Sequence, residues 1–158
     1  MKIDTICDNP NLSNTYVVTI DDECIIIDPS NSIKNIKYYV GNSKVLGILL
    51  THGHFDHFKT LVDVASKYKA KVFLHKNAIL KLKDYNLSCA SMFGYLYNVD
   101  TTNLDLKNVG NGNIIELGRF KIKVMETKGH TNCSICFIID DIMFSGDTIF
   151  YEGIGRYD

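Results

Sequence analysis

Two periods of apolar residues divide the first half of the chain. Residues 2 to 7 and 14 to 20 are rich in β-branched and aromatic residues and flank Pro10-Asn11, so they are expected to form paired strands around a turn. Asp21-Asp22 turns the chain into Cys24-Ile25-Ile26-Ile27, a third strand that stops at Asp28-Pro29. The period then changes: Ile33, Ile36 and Val40 keep helical spacing, with Ser30 to Ser32 as a cap and Gly41-Asn42 as a close. Val45-Leu46-Gly47-Ile48-Leu49-Leu50 is an apolar run bounded by polar residues, the pattern of a buried strand. Leu61, Val64, Ala65 and Tyr68 fall at i, i+3, i+4 and i+7 and predict an amphipathic helix that packs on the sheet. Lys71 to His75 is a short strand, and Ile79, Leu80 and Leu82 belong to a short helix.

From Asp84 to Asn113 periodicity fades and Asn, Gly and aromatics increase. A loop of that length in a compact domain is usually a lid or a substrate wall. Met92, Phe93, Tyr95, Leu96 and Tyr97 either line such a wall or plug the underside of the loop into the core. Two hairpins follow: Ile114 to Leu117 with Phe120 to Met125 around Gly118-Arg119, and Ile135 to Ile139 with Ile142 to Phe144 around Asp140-Asp141. Strands and helices first, hairpin strands afterwards, are compatible with an α/β (α+β) sandwich of two sheets flanked by helices.

Composition narrows the function. At 158 residues and 46% hydrophobic content the chain reads as one domain, 1–158, with a real core. The formal charge of -1, from 17 basic and 18 acidic residues, provides no footprint for nucleic acid or an anionic membrane, so a small-molecule substrate fits better. Met1 to Asp8 has no apolar core of a leader, and no uncharged apolar run is long enough to span a bilayer, so a cytoplasmic protein is expected. The cysteines Cys7, Cys24, Cys89, Cys133 and Cys136 are odd in number and mostly scattered, which argues for reduced thiols. Cys133-Ser134-Ile135-Cys136 has no second pair to complete a four-cysteine site, and packing is the favoured reading of it.

The chemistry concentrates in Thr51-His52-Gly53-His54-Phe55-Asp56-His57, directly after the buried strand. Imidazole nitrogens and carboxylate oxygens are the ligands of zinc and similar ions at catalytic sites. On an extended chain His52 and His54 project to one side, while Asp56 and His57 fall at the following turn. One strand end is thereby able to serve two adjacent metals. His75 lies outside this run and reads as an ordinary hydrogen-bonded histidine. Asp28 is either a partner to a ligand or a turn residue, and Pro29 favours the turn.

The form His-x-His-x-Asp-His, followed in order by Gly129-His130-Thr131 and Ser145-Gly146-Asp147-Thr148, resembles the metallo-β-lactamase superfamily. Gly146-Asp147-Thr148-Ile149-Phe150 with Gly155, Arg156 and Asp158 is most similar to its glyoxalase II-like branch. The resemblance implies an αββα sandwich. It implies that His52, His54 and His130 bind a first metal, that Asp56 and His57 bind a second, and that Asp147 bridges the two. Asp56 and Asp147 are then also the candidate catalytic carboxylates, and Thr51 and Thr131 orient ligands. The ions implied are one or two Zn²⁺, with iron or manganese as alternatives. The reaction implied is thioester hydrolysis by metal-bound hydroxide. The rivals are an ester or lactone hydrolase, persulfide oxidation at a single iron, and an inactive metal-binding remnant.

The chain departs from the family pattern at three places. Phe58-Lys59-Thr60 stands where relatives usually have small residues, and Lys128 where a proline commonly precedes Gly129. Relatives also continue beyond the Gly-Arg-x-Asp segment into elements that carry a further histidine. The sandwich is therefore expected to lack its last elements, to be incomplete at the C-terminus, and to self-associate through an uncovered edge.

Overall fold

A computed structural model describes residues 1–96 and 98–157. Tyr97 and Asp158 lie outside the described residues. The chain forms strands β1 (Lys2–Ile6), β2 (Thr15–Ile20) and β3 (Glu23–Ile27), helix α1 (Ile33–Val40), β4 (Lys44–Leu49), the one-turn α2 (Phe55–Phe58), α3 (Leu61–Tyr68), β5 (Lys71–Leu74) and α4 (Lys76–Leu82). After a 3-10 turn at Ala90–Phe93 come β6 (Leu106–Asn108), β7 (Ile114–Leu117), β8 (Phe120–Glu126), β9 (Ile135–Ile139) and β10 (Ile142–Phe144). The short β11 (Ile149–Phe150) and β12 (Gly153–Ile154) close the series.

Strands β1 to β6 form one sheet in sequence order, antiparallel from β1 to β3 and parallel from β3 to β6. The second sheet is antiparallel in the order β10-β9-β8-β7. Alternation along the central strands divides the core in two, because successive side chains point to opposite faces. Cys24, Ile26, Ile48, Val72 and Leu74 face a layer built from Ile36 and Val40 of α1, Phe58 of α2, Leu61 and Val64 of α3, and Ala78 and Leu82 of α4. Ile25, Ile27, Leu49 and Phe73 face the second sheet, where Ile122, Val124, Ile135, Phe137 and Ile139 meet them. Strands buried on both faces read as unbroken apolar runs, which is why β3 and β4 show no alternation of polarity. This is the mixed α/β sandwich expected of the sequence, with helix, sheet and sheet stacked in that order.

The expected α1 is capped as predicted: Ser32 Oγ accepts the Asn35 N–H at 3.3 Å, and Gly41 closes the helix with φ +55. The loop from Asp84 to Asn113 contains one more strand, β6, which extends the parallel part of the sheet by pairing with β5. Phe93 and Tyr95 pack against the helix-side core, while Met92 and Leu96 are exposed, so the segment is divided between the two alternatives. Cys133 and Cys136 are buried without a disulfide, in keeping with packing. No helix among the described residues is long and apolar enough to cross a membrane.

Beneath the β1–β2 loop lies a buried polar network. Asn31 Nδ2 donates to Ile6 O at 3.0 Å and to Ser13 O at 2.8 Å, and Asn31 Oδ1 accepts the Asp8 N–H at 2.7 Å. One side chain therefore holds both ends of the loop. Asn31→Ala leaves these buried backbone groups unpaired and should lower the unfolding free energy by about 1–3 kcal/mol, measured by urea denaturation. An unchanged denaturation midpoint would show that the loop does not depend on Asn31.

Candidate metal centre

The parallel strands β3, β4 and β5 end on one edge of the first sheet, where open α/β sheets place their ligand sites. Asp28 follows β3, Thr51 and His52 follow β4, and His75 follows β5. From the second sheet, the chain after β8 carries His130 and the chain after β10 carries Asp147 to the same edge. Gly146 makes this approach possible. Its φ is +49, and a Cβ there would lie 2.8 Å from Thr51 Cβ.

His52 and His57 are buried, whereas His54, His130, Asp56 and Asp147 are half-buried. His52 Nε2 lies 3.1 Å and His130 Nε2 2.9 Å from His54 Nδ1. His57 Nε2 lies 3.1 Å from Asp147 Oδ1, and His130 Nε2 3.4 Å from Asp147 Oδ2. Two overlapping groups result, His52-His54-His130 and His52-His57-Asp147, each with ligand atoms within 4.8 Å of one another. Asp56 belongs to neither. Its Oδ2 is 3.7 Å from His57 Nε2, at the rim of the cluster.

The outer nitrogens of three histidines fix which way the inner ones face. Thr51 Oγ1 donates to Asp28 Oδ2 at 2.7 Å, so its contact with His52 Nδ1 at 3.2 Å is an acceptance of the Nδ1–H. His130 Nδ1 donates to Arg156 O at 2.8 Å, and His57 Nδ1 donates to Asp28 Oδ2 at 2.8 Å. With Nδ1 donating outward in each ring, three Nε2 atoms turn inward onto His54 and Asp147. His57 Nε2 is buried and has no hydrogen-bond partner, since its short approach to Asp147 lacks hydrogen-bond alignment. A cation among these nitrogens, taking the place of the His57 proton, would satisfy them together. Four imidazoles and a carboxylate, with His52, His57 and His130 each backed by an acceptor on the outer nitrogen, therefore fit a divalent metal.

Burial lowers the His52 pKa well below its usual value, and the neighbouring His57, His54 and His130 add to the effect. Burial, His130 and Lys81 lower that of His54 to about 4. Both are neutral donors at neutral pH. At His57 burial opposes the charge, but Asp28 and Asp147 outweigh it and raise the pKa to about 10 in the metal-free chain. Burial raises the Asp56 pKa. It also opposes the charge of Asp147, where the His57 contact and the other imidazoles prevail and lower the pKa.

Asp28 requires a correction to the turn reading. It does turn the chain, with φ +49, but its buried carboxylate takes the Thr51 N–H at 2.8 Å, the Thr51 hydroxyl and the His57 Nδ1–H. The acid at a strand end beside a His-x-His run was the available signal, and Pro29 obscured it. The Arg156 carbonyl on His130 carried no side-chain signal at all. Thr51 touches both Asp28 and His52, as expected of an orienting residue. Thr131 instead bonds Ser134 Oγ at 2.7 Å and the Cys133 N–H at 3.2 Å, shaping the turn behind His130. His75 accepts the Asn77 N–H and lies 3.3 Å from Glu126 Oε1, outside the cluster, in keeping with the hydrogen-bonded histidine read from the sequence.

Comparison with known proteins agrees with this architecture. A probable metallo-hydrolase of Bacillus subtilis, YqgX, is 34% identical over 155 residues, covering 94% of this chain and 72% of that protein. The hydroxyacylglutathione hydrolase of Buchnera aphidicola is 34% identical over 138 residues, covering 85% of this chain and 46% of that protein, so the chain spans about half of that relative's length. The crystal structure of the BLEG-1 B3 metallo-beta-lactamase superposes with a TM-score of 0.87 at 28% identity, covering 98% of this chain and 76% of that one. With residues 8–158 matching the family as a whole, the chain belongs to the metallo-beta-lactamase superfamily.

Proposed function

We propose that the chain carries the metal centre of a hydrolase that cleaves small-molecule acyl thioesters, with zinc as its metal. The observation that carries this reading is the inward convergence of the His52, His57 and His130 Nε2 atoms on His54 and Asp147, each ring fixed by an acceptor behind it. His52, His54 and His130 would hold one ion. His57, Asp56 and Asp147 would hold a second, with Asp147 between the two because its oxygens approach both His57 and His130. Bound divalent ions would supply Lewis acidity, acidifying water and polarising an acyl carbonyl.

The chain's own residues do the rest. Asp28 and Thr51 keep His57 and His52 from rotating, and the Arg156 carbonyl does the same for His130. Asp56, on the rim with its pKa raised by burial, would take a proton from attacking water. In the net reaction a C–O bond forms, the C–S bond breaks, and the released thiolate recovers a proton from solvent. The thioester reading is supported by the hydroxyacylglutathione hydrolase among the relatives. An oxyester or lactone is the competing substrate, since a metal centre of this kind meets only the acyl carbon.

Three experiments bear on this reading. Zinc-loaded protein should release thiol from acyl thioesters faster than it cleaves matched oxyesters, and Asp147→Asn should reduce kcat by at least ~100-fold. Thiol trapping with a chromogenic disulfide reads the first reaction. Preferential turnover of the oxyesters would replace thioester with ester, and an unaffected Asp147→Asn would place the chemistry elsewhere.

Asp28→Asn replaces one acceptor oxygen with a donor, so it cannot serve both Thr51 and the His57 Nδ1–H. It should weaken the second equivalent of zinc by ~10–100-fold in a chelator-competition titration while the first changes less. Equal affinities in mutant and wild type would remove Asp28 from the site.

Protons compete with the same metal. Because His57 carries a proton below a pKa of about 10 in the metal-free chain, zinc must displace it. The second equivalent should release a proton at neutral pH and bind more tightly as pH rises toward that value. Calorimetry in buffers of different ionisation enthalpy measures the proton count, and a count of zero would contradict this account of His57.

A further inference from the structure

The strands alone do not fix where the tip of the His130 loop lies, because it leaves β8 at Glu126 and rejoins the sheet at Ile135. Two contacts reach it from the start of α4. His75, buried at the end of β5, caps the helix by accepting the Asn77 N–H at Nδ1, 3.2 Å away. Its proton therefore sits on Nε2, which lies 3.3 Å from Glu126 Oε1. Two residues further on, Asn77 Nδ2 donates to Asn132 O at 3.2 Å. One contact lies before His130 in the chain and the other after it.

The same helix touches the segment opposite. Gly53, between His52 and His54, sits so tightly on α4 that a Cβ would lie 2.7 Å from Lys81 Cβ and 3.3 Å from Ala78 O. The first turn of α4 thus meets the His130 loop and its last turn meets the His52-Gly53-His54 segment. Asp147 and His57 are placed differently, through Gly146 beside Thr51 and through Asp28.

We infer that α4 is the spacer that sets the separation between His52 and His54 on one side and His130 on the other. His75, Asn77 and Glu126 are its positioning residues; none touches the inward nitrogens. This rests on the reading of the three histidines as one metal position. A purely structural role would alter stability alike in all variants, whereas a spacer should change metal affinity according to whether the polar contact at each position is kept.

The test compares Glu126→Ala, Glu126→Gln and Asn77→Ala, each made metal-free and titrated with zinc against a chromophoric chelator, with thermal melting recorded in parallel. Glu126→Ala and Asn77→Ala should weaken the first equivalent by ~10–100-fold, the range typical when support behind a ligand is lost. Glu126→Gln keeps an oxygen beside His75 Nε2 and should stay within about threefold of wild type. With cobalt in place of zinc, the visible absorption should weaken in Glu126→Ala and recover in Glu126→Gln. Wild-type affinity in both alanine variants would overturn the inference, as would equal losses in Glu126→Gln and Glu126→Ala. If Glu126→Ala does not fold, Asn77→Ala decides, because its lost bond is at the surface. Wild-type protein that takes up no zinc would sink the metal reading itself, and the spacer with it.

Discussion

Both oxygens of the buried Asp28 carboxylate are fully engaged: Oδ1 by the Thr51 amide, Oδ2 by the Thr51 hydroxyl and His57 Nδ1. Burying a carboxylate without such partners costs several kcal/mol, so the strand ends that carry these groups are held at fixed positions around it. Asp28 itself adopts a left-handed backbone, which needs support. Thr15 Oγ1 donates to Asp28 O at 2.7 Å and accepts the Ser30 N–H at 3.0 Å, and Asn31 ties the same network to the β1–β2 loop. The polar network is therefore the foundation of the metal centre as well as a loop support.

The second sheet is needed for a different reason. One strand end supplies His52 and His54 on the same side, but a closed set of donors requires groups from the opposite direction. The loops after β8 and β10 supply them, so His130 and Asp147 reach the cluster only when the two sheets are packed. The apolar contact between Leu49, Phe73, Val124 and Phe137 is thereby coupled to the chemistry at the edge. Bringing four imidazoles and two carboxylates together without a cation works against folding, and metal binding would offset that cost.

Most of the fold was legible because its elements are long enough to show a period. The buried runs of β3 and β4, the helical spacing of Ile33, Ile36 and Val40, and both hairpins all appear where the apolar residues place them. Strand β6 did not, since Leu106, Lys107 and Asn108 offer three residues with no alternation and owe their strand form to pairing with β5. In the site, the spacing of the His52-to-His57 run drew attention to His52, His54 and His57, which the fold brings together, and to Asp56, which lies at the rim. What holds them was not legible. The Arg156 carbonyl, the Asp28 carboxylate and the His75–Glu126 contact join positions that are 26, 29 and 51 residues apart, and local pattern carries no trace of such pairs.

Helix α2 shows how the departure at Phe58-Lys59-Thr60 fits this scheme. It has a single turn and no side-chain cap, too short to be stable as an isolated helix. Its position is set by contacts on two sides. Phe55 and Phe58, three residues apart, share the inner face, pack edge-to-face at 5.6 Å and enter the helix-side core. Thr60 Oγ1 bonds Pro29 O at 3.1 Å and Asn31 O at 2.9 Å, binding the end of α2 to the strand terminus that carries Asp28. With its apolar face buried and its end tied, the turn has little freedom to rotate. His57 is directed onto Asp28 and Asp56 onto the rim, so the residues that follow this run secure two side chains that a single turn of helix could not orient alone.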